Sequence, residues 1–145
     1  MREIKGNIWD FHKQGYWITI TTNGTVRADG SCVMGRGVAS QAKIRFPKLP
    51  RELGISITRF GNHLVQFVEY GIVTFPVKYS WWEKADLMLI KRSTQELIEA
   101  VDKSGIPTPI YMVRPGCGNG GLDWKDVKPI IEVILDDRFI VVEIN

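Results

Sequence analysis

The chain has 145 residues, a formal net charge of +3 at pH 7 and a hydrophobic fraction of 44%. This length suits one domain over residues 1–145, and the ordinary composition excludes disordered and fibrous proteins. Because no apolar run reaches the roughly 20 residues that cross a bilayer, and the N-terminus does not resemble a signal peptide, we expect a cytoplasmic protein without membrane attachment.

The N-terminal half alternates between strand and helix patterns. Residues 3–8 are compatible with a short first strand, and the β-branched run at 17–22 predicts a second. A helix is expected over about 37–45, because Pro47 disfavours helical geometry in the residue before it. Two further strands are predicted at 64–69 and 72–77.

The C-terminal half continues this alternation. Apolar residues recur at steps of three and four over residues 85–103, which predicts an amphipathic helix that Gly105 stops. A strand is predicted at 110–113, and another at 139–144.

A last helix is predicted between these two strands. Asp123 and Asp126 are both candidate N-caps, and Pro129 favours the later one because proline is tolerated in the first turn. Strands that alternate with helices and are apolar on both faces indicate an α/β protein with a mixed sheet covered on both sides.

Two glycine-rich stretches, 31–39 and 114–124, each lie between a predicted strand and a predicted helix. Glycine lets the main chain approach a ligand, and the first amides of a helix attract phosphate. An isolated glycine pair is more often a tight turn. The second stretch, however, has glycine at four of the six positions 116–121, and each costs about 0.5–1 kcal/mol relative to alanine. We therefore predict that the two loops grip one diphosphate.

The same glycines allow a competing interpretation. Gly116, Gly118 and Gly121 fit the dinucleotide-binding pattern G-x-G-x-x-G, with Glu143 about 20 residues further on. A nicotinamide-binding fold needs further strand-helix crossovers after that point, which makes this alternative weak.

Neither a metal nor a cofactor is predicted. The candidate soft ligands do not show the paired spacing of a zinc site. They are Cys32, Cys117, His12 and His63.

Taken together, the motifs resemble the macro domain family, in the branch that contains the DNA ADP-ribosyl glycohydrolase antitoxin DarG and the human terminal ADP-ribose glycohydrolase. The matching segments span nearly the whole chain in the family's order. They are Thr22-Asn23, Val33-Met34-Gly35-Arg36-Gly37-Val38-Ala39 followed by Arg45-Phe46-Pro47, Phe75-Pro76-Val77-Lys78, and Gly116-Cys117-Gly118-Asn119-Gly120-Gly121-Leu122-Asp123-Trp124.

This resemblance implies a three-layer α/β/α macro domain that binds ADP-ribose without a metal. Asn23 would face the distal ribose. Asn7 stands where the family usually has an aspartate that holds the adenine, and it offers an amide oxygen instead of a carboxylate. The implied ADP-ribose-binding residues are Asn7, Ile8, Asn23, Met34, Gly35, Arg36, Gly37, Val38, Gly116, Cys117, Gly118, Asn119, Gly120, Gly121 and Leu122.

Lys78 is the residue that the resemblance implies in catalysis. A lysine at this place in the DarG-like pattern is associated with removal of ADP-ribose, by attack of its amine on the opened anomeric carbon, which requires the uncharged amine. We expect a monomeric mono-ADP-ribosyl glycohydrolase acting on modified nucleic acid or protein. A non-catalytic ADP-ribose reader and an ADP-ribose 1″-phosphate phosphatase remain alternatives.

Two departures from the pattern of the human enzyme matter. Gly120 stands where that enzyme has an acidic residue, so a mechanism through such a carboxylate is not expected. Residues 24–30 are an insertion ahead of the first loop, for which a flap over the site and a polar hairpin are equally good interpretations.

Overall fold

The structure is a computed structural model, and it describes residues 1–144. These residues form a central sheet of six strands and five α-helices. In chain order they are β1 (Arg2–Gly6), α1 (Ile8–Lys13), β2 (Ile18–Asn23), α2 (Gly37–Arg45), α3 (Leu49–Phe60), β3 (Val65–Phe67), β4 (Ile72–Lys78), α4 (Leu87–Ser104), β5 (Ile110–Val113), α5 (Trp124–Glu132) and β6 (Phe139–Ile144).

The strands lie in the order β1-β6-β5-β2-β4-β3. All neighbouring strands pair in parallel except β3, which runs antiparallel to β4 at one edge. The carboxyl ends of the five parallel strands therefore meet along one edge of the sheet, where α/β proteins bind their ligands.

Alternate residues of the inner strands β2, β4, β5 and β6 lie on opposite faces of the sheet, where two separate cores form. Ile72 packs into the core beneath α1, α2 and α3, whereas the next residue, Val73, packs into the core beneath α4 and α5. Strand β4, which has a neighbour on each side, is buried from Ile72 through Val77, as expected for a strand covered on both faces. The predicted three-layer α/β/α arrangement with a mixed sheet is confirmed.

Two helices were not predicted. The six-residue α1 begins because the side chain of Asn7 accepts a hydrogen bond from the amide of Trp9, so the first strand ends at Gly6 rather than at residue 8. Helix α3 buries Leu49 and Leu53, one turn apart. Its proline and glycine residues hide this helix from a pattern search, although Pro50 lies in the first turn, where proline is tolerated.

Two predicted boundaries were wrong. Helix α5 begins at Trp124 with Asp123 as its N-cap residue, not at the later Asp126, so that Pro129 lies inside the helix. The amide of Val127 donates to the carbonyl oxygen of Asp123 at 3.2 Å, which fixes the earlier start. Strand β3 is only three residues long, because a turn at residues 67–71 replaces its predicted end.

No helix within residues 1–144 is both long enough and apolar enough to span a membrane.

Candidate functional site

A cavity of about 850 Å³ opens at the carboxyl ends of the parallel strands. This volume falls in the usual range for small-molecule sites. Four strands deliver a polar side chain to its wall, either from their last residues or from the residue that follows: Asn23, Lys78, Arg114 and Glu143. In an α/β sheet covered by helices on both faces, as predicted from the sequence, a ligand is expected at the carboxyl ends of the strands, and the cavity lies there.

The first glycine-rich loop forms one side of the cavity and leads into α2. Arg36 is extended and makes no side-chain cap, so the first amides of α2 are not covered by a capping side chain. Gly37 begins the helix with φ +60°. This is the left-handed region, which an L-residue adopts only at a cost. Residues 33–39 all line the cavity.

The second loop forms the opposite side. Its residues Gly118–Gly120 make one turn of 3₁₀ helix, and the carbonyl oxygen of Gly120 accepts a hydrogen bond from the amide of Ala85 at 2.9 Å. Gly116, with φ +75°, is packed so closely that an added Cβ would lie 2.7 Å from Cδ1 of Ile90. This turn, not the start of α5, is the part of the loop that faces the cavity.

The two loops approach each other across the cavity. A Cβ built on Gly37 would lie 2.9 Å from Nδ2 of Asn119, which is tighter than ordinary contacts allow. A ligand in the cavity is therefore enclosed by main chain on two sides, and the positive φ of Gly37 favours glycine at the first of these positions.

Lys78 enters the cavity at the end of β4 and is half-buried. Its Nζ lies 3.4 Å from the carbonyl oxygen of Trp81 and 3.4 Å from that of Asn119. The amine is thus held against the second loop by main-chain acceptors. The neighbouring aromatic residues only partly wall it, because Trp81 lines the cavity while Trp82 is 70% exposed.

Asn23 braces the inserted segment. Its Nδ2 donates to the carbonyl oxygen of Val33 at 2.9 Å, and its Oδ1 accepts from the amide of Thr25 at 2.9 Å. The insertion at 24–30 is a hairpin, closed by an antiparallel bridge between Val26 and Cys32. Both interpretations of the insertion hold in part, since Thr25 and Arg27 of this hairpin also line the cavity.

The far end of the cavity is made by Arg114 and Glu143, whose Nη2 and Oε2 atoms are 3.4 Å apart. The Arg114 guanidinium also lies 4.8 Å from the centre of the Trp124 ring. Asn7 and Ile8 lie outside the cavity lining: the Asn7 side chain caps α1, and Ile8 is buried in the core.

The two cysteines are reduced and far from their reactive form. Burial raises the pKa of Cys32 to about 12 and also raises the pKa of Cys117. A thiol with a raised pKa is a poor nucleophile at neutral pH. Within residues 1–144 no cluster of three His, Cys, Asp or Glu side chains is arranged to hold a metal ion.

The cavity brings together twelve of the sixteen predicted site residues. Those that line it are Asn23, Met34, Gly35, Arg36, Gly37, Val38, Lys78, Gly116, Cys117, Gly118, Asn119 and Gly120. Those outside the lining are Asn7, Ile8, Gly121 and Leu122. Thr25 and Arg27 were not among the predicted ligand contacts. Because the strand ends and the hairpin come together only in the fold, spacing in the sequence does not reveal them.

Comparison with known proteins supports the family. No family model matches the chain. The DNA ADP-ribosyl glycohydrolase of Mycobacterium tuberculosis (strain ATCC 25618 / H37Rv) is 32% identical over 107 residues, which cover 66% of this chain and 30% of the relative. The chain therefore spans about a third of the length of this curated relative.

Solved structures agree with this match. The macrodomain of Mycobacterium tuberculosis DarG superimposes with a TM-score of 0.69 at 26% identity, covering 86% of each chain. The structure of Thermosipho africanus DarTG in complex with ADP-ribose gives a TM-score of 0.80 at 21% identity, covering 99% of this chain and 41% of that one. The fold, the two glycine-rich loops and these similarities together identify the chain as a DarG-like macro domain.

Proposed function

We propose that this macro domain binds ADP-ribose in the cavity and hydrolyses it from modified DNA, with Lys78 as the nucleophile. The relatives named DNA ADP-ribosyl glycohydrolase support the activity and the substrate. The two loops would hold the diphosphate, since uncapped amides and glycine main chain suit a dianionic group.

The observation that carries the proposal is the position of the Lys78 amine. It lies beside the second loop, against the carbonyl oxygens of Trp81 and Asn119. The only carboxylate that lines the described cavity is Glu143, and it faces Arg114 at the far end. This arrangement favours a lysine over a carboxylate as the reacting group.

The chemistry proceeds through a covalent imine. When the distal ribose opens, the bond from C1″ to the ring oxygen breaks and that oxygen takes up a proton. The uncharged Lys78 amine then attacks C1″ and a C–N bond forms. The bond from C1″ to the DNA base breaks, the base takes up the proton that the amine loses, and a C=N bond remains between C1″ and the lysine. Water then adds to the imine and the amine leaves. Free ADP-ribose and the original lysine result, so that one water is consumed for each ADP-ribose released.

The test separates binding from release. Titration calorimetry with ADP-ribose measures binding, and incubation with single-stranded DNA carrying ADP-ribose on thymidine measures release. We expect Lys78→Ala to keep the affinity for ADP-ribose within a few-fold and to lower kcat by at least about a hundredfold, as the loss of a nucleophile requires. Trapping with borohydride should link wild-type protein, but not Lys78→Ala, to the ADP-ribose.

Three outcomes would contradict the proposal. Equal release by Lys78→Ala and wild type would remove the lysine from the mechanism. Tight binding of ADP-ribose by wild type without any release would mark the domain as a reader. Phosphate liberated from ADP-ribose 1″-phosphate would instead identify a phosphatase.

A further inference from the structure

Three large aromatic side chains directly follow the lysine at the cavity mouth, and all of them are exposed. Tyr79 and Trp81 are each 51% exposed, and Trp82 is 70% exposed. Aromatic rings held in water give up favourable burial, and when they cluster on a surface they commonly mark a binding site. The described fold does not use the Trp82 ring for packing in either core.

The segment that carries these rings is fixed at the edge of the cavity. The carbonyl oxygen of Tyr79 accepts from the amide of Gly24 at 3.2 Å, and the amide of Trp81 donates to Oγ1 of Thr25 at 3.0 Å. Trp81 itself lines the cavity. The hairpin of the insertion therefore holds the aromatic segment in place. This reduces the conformational entropy that the segment loses when a partner binds.

The charge around this segment favours an anionic partner. Arg27 and Arg36 are exposed and line the cavity. Lys84 is exposed as well, and it lies against Gly121 of the second loop, where a built Cβ would be 3.4 Å from Cγ of Lys84. Glu83 is the one carboxylate between residues 78 and 85. Cations interleaved with exposed aromatic rings are the usual surface for single-stranded nucleic acid.

We propose that Trp81 and Trp82 stack on nucleobases beside the modified nucleotide of a single-stranded nucleic acid, while Arg27 and Lys84 contact its phosphates. This inference rests on the proposed function, and it assigns the residues that would select the strand rather than the ADP-ribose. A single strand fits because its bases expose their faces to a ring, whereas a duplex stacks them internally. The aromatic segment begins one residue after Lys78. The nucleic-acid strand would therefore cross the mouth of the cavity while its attached ADP-ribose lies inside the cavity.

The first test measures binding without chemistry. A fluorescent 12-nucleotide oligothymidine is titrated with wild type, Trp81→Ala, Trp82→Ala and Trp82→Phe, and anisotropy is recorded. Each alanine variant should weaken binding about five- to hundredfold, because one stacked base is lost, and Trp82→Phe should recover part of the loss. Wild-type affinity should fall as salt rises. Phe60→Ala is the matched control, since Phe60 is 72% exposed but lies outside the cavity lining.

The second test measures selection. The ratio of kcat/KM for an ADP-ribosylated oligonucleotide to that for an ADP-ribosylated single nucleoside should fall at least about fivefold in Trp82→Ala and stay constant in Phe60→Ala. Thermal melting checks that each variant is folded.

The outcomes distinguish the two proposals. The stacking assignment would be overturned if wild type releases ADP-ribose and both tryptophan variants keep the wild-type ratio of kcat/KM between the oligonucleotide and the nucleoside. The proposed function would then remain intact. A tryptophan-dependent loss confined to an ADP-ribosylated protein substrate would show that the aromatic segment binds a polypeptide instead. If wild type releases no ADP-ribose from either nucleic-acid substrate, the proposed function fails, and the oligothymidine titration still reports on the surface.

Discussion

Gly37→Ala perturbs the point where the two loops meet. Gly37 has φ +60°, and the added Cβ would lie 2.9 Å from Nδ2 of Asn119. The change therefore adds backbone strain and pushes a side chain of the second loop. Because the Asn119 side chain can move, the contact is relieved by a shift of that side chain toward or away from the cavity rather than by unfolding.

The expected effect of Gly37→Ala has two parts, one on stability and one on ligand affinity. An L-residue in the left-handed region costs roughly 1–2 kcal/mol, which lowers the melting temperature of a domain of this size by about 2–8 °C. The second part acts on the ligand. A methyl group and a displaced Asn119 between the loops should weaken ADP-ribose binding about tenfold or more, which corresponds to roughly 1.4 kcal/mol.

Gly105→Ala separates these two parts. Gly105 has φ +65°, nearly the value of Gly37, but a Cβ there meets nothing within 4 Å, and the residue ends α4 outside the cavity lining. Calorimetric unfolding and ADP-ribose titration are run on both variants. We expect similar losses of melting temperature and a loss of affinity in Gly37→Ala alone. Equal affinity in both variants would refute the claim that the loops enclose the ligand.

Two further predictions concern the first residues of the chain. Asn7→Ala should lower the free energy of unfolding by about 1 kcal/mol because the amide of Trp9 loses its capping acceptor, whereas Asn7→Asp keeps that acceptor. Urea denaturation measures the free energy of unfolding of both variants. An equal loss in the two variants would contradict the capping role. The pKa of Glu3 is lowered, chiefly by its hydrogen bond to Lys128, so the stability that it contributes is present above about pH 4.5 and is lost as pH falls through the lower folded pKa. Glu3→Gln should therefore flatten the decline of unfolding free energy between about pH 5 and pH 3, and an unchanged decline would show that other carboxylates cause it.

The sheet and the two glycine-rich loops could be predicted because their signals are local. Strand β4 is apolar at consecutive positions, and α4 has a regular stripe that ends at Gly105, which adopts the left-handed cap conformation. Each glycine-rich loop lies between a strand and a helix in the sequence. Parallel topology then brings the carboxyl ends of the strands together without any further information.

The missed helices have weak or conflicting local signals. Helix α1 is only six residues long and depends on the Asn7 cap, and the residues before it resemble a continuing strand. In α3, Gly54 suggests a break. The structure shows a different reason for it: a Cβ there would lie 1.9 Å from the carbonyl oxygen of Gly30, so the hairpin and the helix approach too closely for a side chain. Such a contact is visible only in the fold.

One irregularity of the sheet links the fold to the proposed chemistry. Strands β2 and β4 pair in register up to Thr22 and Pro76, and the next pair joins Asn23 to Lys78, skipping Val77. Val77 stays in the core beneath α4, whereas the lysine takes the position opposite the asparagine that braces the hairpin. Side chains alternate between faces along a strand, so one extra residue changes which side chain a given partner meets. The bulge thus lets an almost fully buried strand end in a polar residue at the cavity, beside the hairpin that holds Trp81.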